Sequence, residues 1–282
     1  MAINWYPGHM AKTKKEITQK LDLIDIVFEV IDARIPYSSK NRDIDGMIKN
    51  KPRILIMTKV DLCDKEETNK WRLYYENLGY KVILLDLLNN PKMDLIYEDA
   101  NKLLYELNEK RKEKGLKTRK VRALVLGIPN VGKSTLINRL VAKKAVNVGN
   151  RPGVTKNLEW IRINDKLELL DTPGILWPRL ESDTVANNLA AMTAIKEEIL
   201  DLSEVSIYII NKMKEKYPTN INNRYNLNDD TDIISILDQI GKKIGAIRNN
   251  ETDYERVYQV ILKDLREGKL GNVTFDEVES CR

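Results

Sequence analysis

Short apolar runs alternate with longer amphipathic stretches through residues 1–177. The runs are Asp25–Asp32 (DIVFEVID), Arg53–Thr58 (RILIMT), Lys81–Asp86 (KVILLD), Arg122–Gly127 (RALVLG), Leu158–Ile163 and Leu167–Asp171. Each has strand length and is dominated by Val, Ile and Leu. Helical periodicity marks the stretches at about 11–22, 39–50, 65–79, 92–114 and 133–142. Strand, helix, strand in alternation predicts a mostly parallel sheet covered on both faces. The last two runs are separated only by Asn164, Asp165 and Lys166, so they read as a hairpin that adds one antiparallel strand. The expectation is a six-stranded α/β domain.

After about Trp177 the pattern changes. Helical periodicity dominates at about 183–201, 203–216, 230–244 and 251–267, and even the apolar Val205–Ile210 falls inside it. Pro218 and the Asn-rich Asn220–Asn228 are expected to break the middle. The predicted organisation is an α/β domain over 1–177 followed by a small all-α domain over 178–282.

Composition adds little to this division, but charge adds more. The net charge is +5 over 282 residues. Residues 178–282 hold 14 Lys and Arg against 19 Asp and Glu, a net −5, which leaves 33 against 23, or +10, for the front part. A basic surface favours phosphate-rich partners such as RNA. Glu109–Arg122 (EKRKEKGLKTRKVR) concentrates eight positive charges against two negative ones. It reads either as a solvated helix end and linker or as a phosphate-contacting patch. Cys63 and Cys281 are the only cysteines, too few for a disulfide framework, and they fit a reducing, cytoplasmic setting. With His9 as the sole histidine, zinc sites built on His and Cys are excluded. No apolar run approaches the ~20 residues that span a bilayer, so no membrane role is expected.

The chemistry concentrates in three motifs. Gly127-Ile-Pro-Asn-Val-Gly132-Lys133-Ser134 matches the phosphate loop G-x-x-x-x-G-K-[ST]. It follows an apolar strand and opens a predicted helix, the context the motif requires. Gly127 and Gly132 let the backbone curl so that successive N–H groups, including those of Asn130 and Val131, face phosphate oxygens. The helix N-terminus adds its partial positive charge. Lys133 would reach the outer phosphates and the Ser134 hydroxyl would ligate Mg²⁺, with Thr135 a further polar group beside it. Thr58-Lys59-Val60-Asp61 ends another strand and matches the N/T-K-x-D pattern that reads guanine. A carboxylate there accepts from N1–H and the exocyclic amine of guanine. Adenine offers neither donor, and a stranded buried carboxylate of this kind supports selectivity of about 10⁴-fold. Asp171-Thr172-Pro173-Gly174 matches D-x-x-G: Asp171 holds Mg²⁺ and the Gly174 N–H senses a γ-phosphate. Between them, Thr155 in Arg151–Thr155 is the candidate first-switch threonine that closes over Mg²⁺.

The order of these motifs is unusual. The base reader precedes the phosphate loop, so the nucleotide domain reads as circularly permuted. Asp86-Leu87-Leu88-Asn89 stands where a second base-reading segment belongs, with Asp86 and Leu87 as its candidate contacts, although its residues match that role poorly.

In this order the motifs resemble the ribosome biogenesis GTPase A family. The likeness includes Trp5-Tyr-Pro-Gly-His-Met-Ala11, Leu169-Leu-Asp-Thr-Pro-Gly-Ile-Leu-Trp-Pro178 and Ala191-Met-Thr-Ala-Ile-Lys196, and it covers nearly the whole chain. The resemblance implies a circularly permuted P-loop G domain and a helical RNA-binding domain. It implies GTP and GDP as ligands with Mg²⁺, and a role in late maturation of the large ribosomal subunit. The partners implied are an immature large subunit, its ribosomal RNA and ribosomal proteins. Hydrolysis would be slow alone and stimulated by the particle. K⁺, ligated at Asn130, is a further expectation carried by the resemblance.

Ile175 stands where many GTPases carry a water-orienting glutamine. An aliphatic side chain cannot orient water, so something else must, or hydrolysis alone is very slow. His9 is the candidate catalytic group, since imidazole donates or accepts near neutral pH and the resemblance points to it, against a packing or RNA-contacting role. The alternative to a GTPase switch is an RNA-binding scaffold that holds GTP as a structural ligand. An ATP-using enzyme is a third reading, which Asp61 opposes.

Overall fold

In the computed structural model the described residues are 8–42, 45–48, 51–89, 92–142, 158–176, 180–192, 194–195, 197–228 and 232–279. Six strands form one sheet: β1 (Ile26–Asp32), β2 (Arg53–Thr58), β3 (Lys81–Leu85), β4 (Val121–Leu126), β5 (Glu159–Arg162) and β6 (Leu167–Asp171). Their order is β3-β2-β1-β4-β6-β5, and every pairing is parallel except β5 against β6. All seven residues of β1 are buried, as expected of a central strand with both faces covered. The helices of this part are α1 (Gly8–Lys20), α2 (Asp45–Ile48), α3 (Lys65–Asn77), α4 (Asp94–Glu113) and α5 (Lys133–Ala142). Asp64 caps α3 by accepting from the Glu66 and Glu67 amides. The six-stranded, mostly parallel sheet matches the α/β expectation.

The remaining helices are α6 (Asp183–Ala191), α7 (Leu202–Lys216), α8 (Pro218–Tyr225), α9 (Ile233–Ile244) and α10 (Tyr254–Arg266). Ser182, Asp201, Asp232 and Asp253 cap α6, α7, α9 and α10 through their side chains. These helices pack on one another and on the sheet through a continuous apolar core that includes Leu189, Ile209, Ile240 and Ile261.

Three details depart from the sequence expectations. The 39–50 stretch forms a helix only over Asp45–Ile48. Residues 33–41 are instead a loop of turns whose polar side chains Arg34, Ser38, Ser39, Lys40 and Asn41 are buried. Long-range partners hold Ser38 and Asn41 there, whereas Arg34, Ser39 and Lys40 bond mainly to the nearby Asp32, Ile35 and Asp45. The chain breaks after α7 and again after α8, as expected, but the Asn-rich stretch also forms the short helix α8, with Pro218 in its first turn, where a missing N–H costs nothing. The turn after it falls at Asn226, in the left-handed conformation with φ 57°. Finally, a two-stranded hairpin, β7 (Ile247–Arg248) and β8 (Glu251–Thr252), precedes α10.

The chain then returns to the sheet. Leu270–Val278 forms a strap with no regular structure. Phe275 N–H donates to the Arg34 carbonyl at 2.8 Å and Val273 N–H to the Leu62 carbonyl at 3.1 Å. Asp276 is buried against the 33–41 loop, where it accepts from Ser38 N–H (2.8 Å), the Ser38 hydroxyl (2.7 Å) and Asn188 Nδ2 (2.8 Å). The strap therefore bonds simultaneously to the sheet part and to α6. No helix among the described residues is long and apolar enough to cross a membrane.

Candidate functional site

The three motifs meet at the C-terminal ends of β2, β4 and β6, the edge of a parallel sheet where ligands sit. The phosphate loop leaves β4 at Gly127 and enters α5 at Lys133. Its glycines are required by space. A Cβ at Gly127 would lie 2.4 Å from the Val30 carbonyl oxygen, and Gly132 holds φ 97°. Asn130 takes φ 59°, a left-handed conformation that asparagine tolerates. Lys133 is 7% exposed, and its ammonium donates to the Gly127 and Ile128 carbonyls at 3.0 and 2.9 Å. Burial pulls its pKa down to about 8, against the opposing pull of Asp171. Two carbonyl dipoles leave a buried cation short of negative charge, and phosphate oxygens would supply it.

The second switch abuts this loop. Thr172 ties to β4 by donating to the Val125 carbonyl at 2.7 Å. A Cβ at Gly174 would fall 2.6 Å from the Pro129 nitrogen, so the switch backbone runs against the loop with no room for a side chain. Asp171 is 1% exposed at the end of β6. Its carboxylate and the Ser134 hydroxyl are both hard oxygen donors, the chemistry Mg²⁺ requires. Ile175 is 4% exposed. Its N–H donates to the Gly127 carbonyl at 3.2 Å, and its carbonyl accepts from Asn41 Nδ2 at 2.9 Å.

Beside the phosphate loop lies a pocket of about 250 Å³. Thr58, Lys59 and Asp61 line it from the β2 end, Asn130, Gly132 and Thr135 from the phosphate loop, and Leu87 and Leu88 from the β3 end. Thr58 locks two of these walls together: its hydroxyl donates to the Val131 carbonyl at 2.5 Å, with the Ile31 carbonyl 3.1 Å away. Lys59 adopts φ 59°, a conformation that costs a lysine about 1–2 kcal/mol and is found where the surroundings enforce it. Its ammonium pairs with Asp32 at 2.8 Å. Arg34 grips the same carboxylate as a fork, Nε to Oδ1 at 3.0 Å and Nη2 to Oδ2 at 2.8 Å. Burial alone would raise the Asp32 carboxyl, but Arg34 and Lys59 override it and hold it well below the usual range. A ligand-sized pocket with a carboxylate at one end, adjoining a cationic loop, has the shape of a nucleoside-phosphate site.

Two family models match. One is described as 50S ribosome-binding GTPase and covers residues 122–257. The other, RsgA GTPase, covers residues 10–181. The chain is 44% identical over 281 residues to the ribosome biogenesis GTPase A of Bacillus licheniformis, covering 99% of both chains. The chain belongs to the ribosome biogenesis GTPase A family. A more distant protein of that name, from Thermotoga maritima, shares 29% identity with 98% of this chain and 95% of its own length covered. The solved structure described as GDP-bound YlqF matches with a TM-score of 0.68 at 24% identity, over 94% of this chain and 99% of that one. The GNP-bound YlqF of T. maritima matches with a TM-score of 0.64 at 25% identity, over 94% and 98%. The biogenesis GTPase A fold thus carries the circular permutation that the motif order predicts.

Most of the sequence candidates converge in this member of the family. Thr58, Lys59, Asp61, Leu87, Asn130, Gly132 and Thr135 line one pocket, with Val131 in the adjoining loop and Lys133 and Ser134 at the start of α5. Asp86 does not line it. Its carboxylate accepts from the Leu88 and Asn89 amides at 3.0 and 2.9 Å, closing its own turn. The base reader touches the phosphate loop through the Thr58 hydroxyl, while Lys59 pairs with Asp32. Thr155 and the side chain of His9 lie outside the described residues. The sequence reading missed Arg34, Leu62 and Arg266, which also line the pocket. Asp32 and Arg34 at the C-terminal end of a buried strand were a usable signal. Arg266, distant in sequence, gave none.

Proposed function

We propose that this GTPase engages an immature large ribosomal subunit late in its assembly, through ribosomal RNA and ribosomal proteins, and leaves after hydrolysing GTP. Residues 1–177 act as the G domain and 178–282 as a helical RNA-binding domain. Support for the partner comes from the family and from the net +10 of the front part.

Asp61 accepts from the guanine N1–H and amine, while Thr58 keeps the base reader in register with the phosphate loop. Lys133 neutralises the outer phosphates, and the loop amides from Asn130 to Ser134 cradle them. Magnesium, held by Ser134, Asp171 and Thr155, would neutralise charge that develops on the transferred phosphate. K⁺ at Asn130 would add to that neutralisation, within the cytoplasm where this ion abounds.

The observation that carries particle-stimulated hydrolysis is Ile175. It stands in the water-orienting position, is 4% exposed and is bonded through its backbone on both sides. The site therefore lacks a water-orienting side chain there, and a particle, with His9 as the candidate group, completes it. The test is phosphate release from GTP and from ATP, with and without large ribosomal particles, in K⁺ and in Na⁺. Stimulation by particles with GTP alone, greater in K⁺, is the expected result. Absence of stimulation favours the second reading, a scaffold that holds GTP as a structural ligand, since Ile175 suits that reading too.

A further inference from the structure

The base pocket has a wall that the G domain does not supply. Arg266, the last residue of α10, lines it beside Thr58, Lys59 and Asp61. Its guanidinium is committed in its own plane. Nε donates to the Ala191 carbonyl at 3.0 Å, Nη2 to the Ala190 carbonyl at 3.1 Å, and Nη1 pairs with Glu197. The two carbonyls close the C-terminal end of α6, where a cation is favoured. With every guanidinium nitrogen donating to protein and the side chain 14% exposed, its flat face is what it can offer a ligand. Guanidinium faces stack on aromatic rings.

The main chain fixes Arg266 in place. Arg34 Nη1 donates to the Arg266 carbonyl at 3.4 Å, and the same Arg34 holds Asp32, which holds Lys59. A few residues on, Val273 bonds to the Leu62 carbonyl, next to Asp61. The end of α10 is therefore docked on the loop that carries the base reader.

We propose that Arg266 is a base-positioning residue of the guanine site, with its face stacked on the purine, so that the site is complete only when the helical domain is seated. This rests on the reading of the pocket as the guanine site. GDP and GTP share the base, so either one seats α10, whereas a γ-phosphate acts separately at Gly174. By linkage, a partner that draws α10 away weakens both nucleotides by the same factor.

The test titrates GDP and a non-hydrolysable GTP analogue into the full chain by calorimetry. Arg266→Ala should weaken both about tenfold and equally, the effect of one lost stacking contact. Arg266→Lys, which keeps the charge without the planar face, should be nearly as weak. A role confined to packing α10 on α6 would leave both affinities unchanged. Unchanged affinity in Arg266→Ala, or full rescue by lysine, overturns the proposal. Asp61→Ala separates the two failures. If it leaves guanine binding intact, the pocket is not the guanine site. If it abolishes binding while Arg266→Ala binds normally, only the Arg266 inference fails. Hydrogen exchange on the wild-type chain needs no variant: GDP should slow the amides of 267–270 as much as the analogue does, and no effect of GDP contradicts the proposal.

Discussion

Replacing Asp276 with alanine strands donors in the joint between the 33–41 loop and α6. The carboxylate accepts hydrogen bonds from Ser38 N–H, the Ser38 hydroxyl, Asn188 Nδ2 and the Tyr37 backbone. Ser38 and Asn188 are both fully buried, so water cannot replace the lost acceptor. The Ser38 hydroxyl can rotate to a new partner and still accept from Asn188 at 3.1 Å, which leaves the Ser38 N–H as the main casualty and Asn188 half satisfied. A stranded buried donor costs about 1–3 kcal/mol. Against this, burial raises the Asp276 carboxyl pKa, so its removal relieves some desolvation. The net expectation is a loss of about 2–4 kcal/mol, large against a typical total of about 5–15. Urea unfolding followed by tryptophan fluorescence reads it directly. A loss below about 0.5 kcal/mol, within the range of ordinary surface substitutions, would refute the idea that Asp276 holds the joint.

Two further outcomes follow from the nucleotide site. Gly174→Ala places a methyl 2.6 Å from the Pro129 backbone nitrogen, so the switch must retreat from the phosphate loop. Affinity for a GTP analogue should fall at least about tenfold while GDP affinity changes little, and equal effects on both nucleotides in equilibrium titration would contradict the contact. The second concerns pH. Lys133 has its pKa lowered to about 8 by burial, so it is protonated below that value and increasingly neutral above it. Nucleotide binding needs the ammonium, so affinity should hold from pH 6.5 to 7.5 and fall about fivefold from pH 8 to 9, a slope that titrations across this range will show or exclude. The sign for stability is opposite: the unfolded chain binds this proton up to its ordinary pKa, so the nucleotide-free chain gains stability from this group as pH rises above about 8.

The phosphate loop, the base reader and the D-x-x-G switch were legible because each is a contiguous string at the end of an apolar run. The sheet was legible for the same reason, and its central strand β1 is buried throughout. What stayed hidden depends on distant partners. Ser38 and Asn41 look like exposed loop residues until Asp276 and the Ile175 carbonyl are placed against them. Arg266 reaches the base pocket only through the packing of α10 against α6 and α7. Around Pro218 the breaks are legible but α8 is not, because proline at its start and asparagine just past its end mark the boundaries of a helix of only eight residues.

The central claim is that a base reader placed before the phosphate loop selects guanine through Asp61. It is tested most directly by the nucleotide preference of the full chain before and after Asp61→Asn. The wild-type chain should bind GDP at least about 10³-fold more tightly than ADP or XDP. The variant should lose GDP and gain XDP, because an amide at position 61 matches the xanthine 2-oxo group where a carboxylate repels it. A variant that keeps the wild-type preference for GDP would contradict the account.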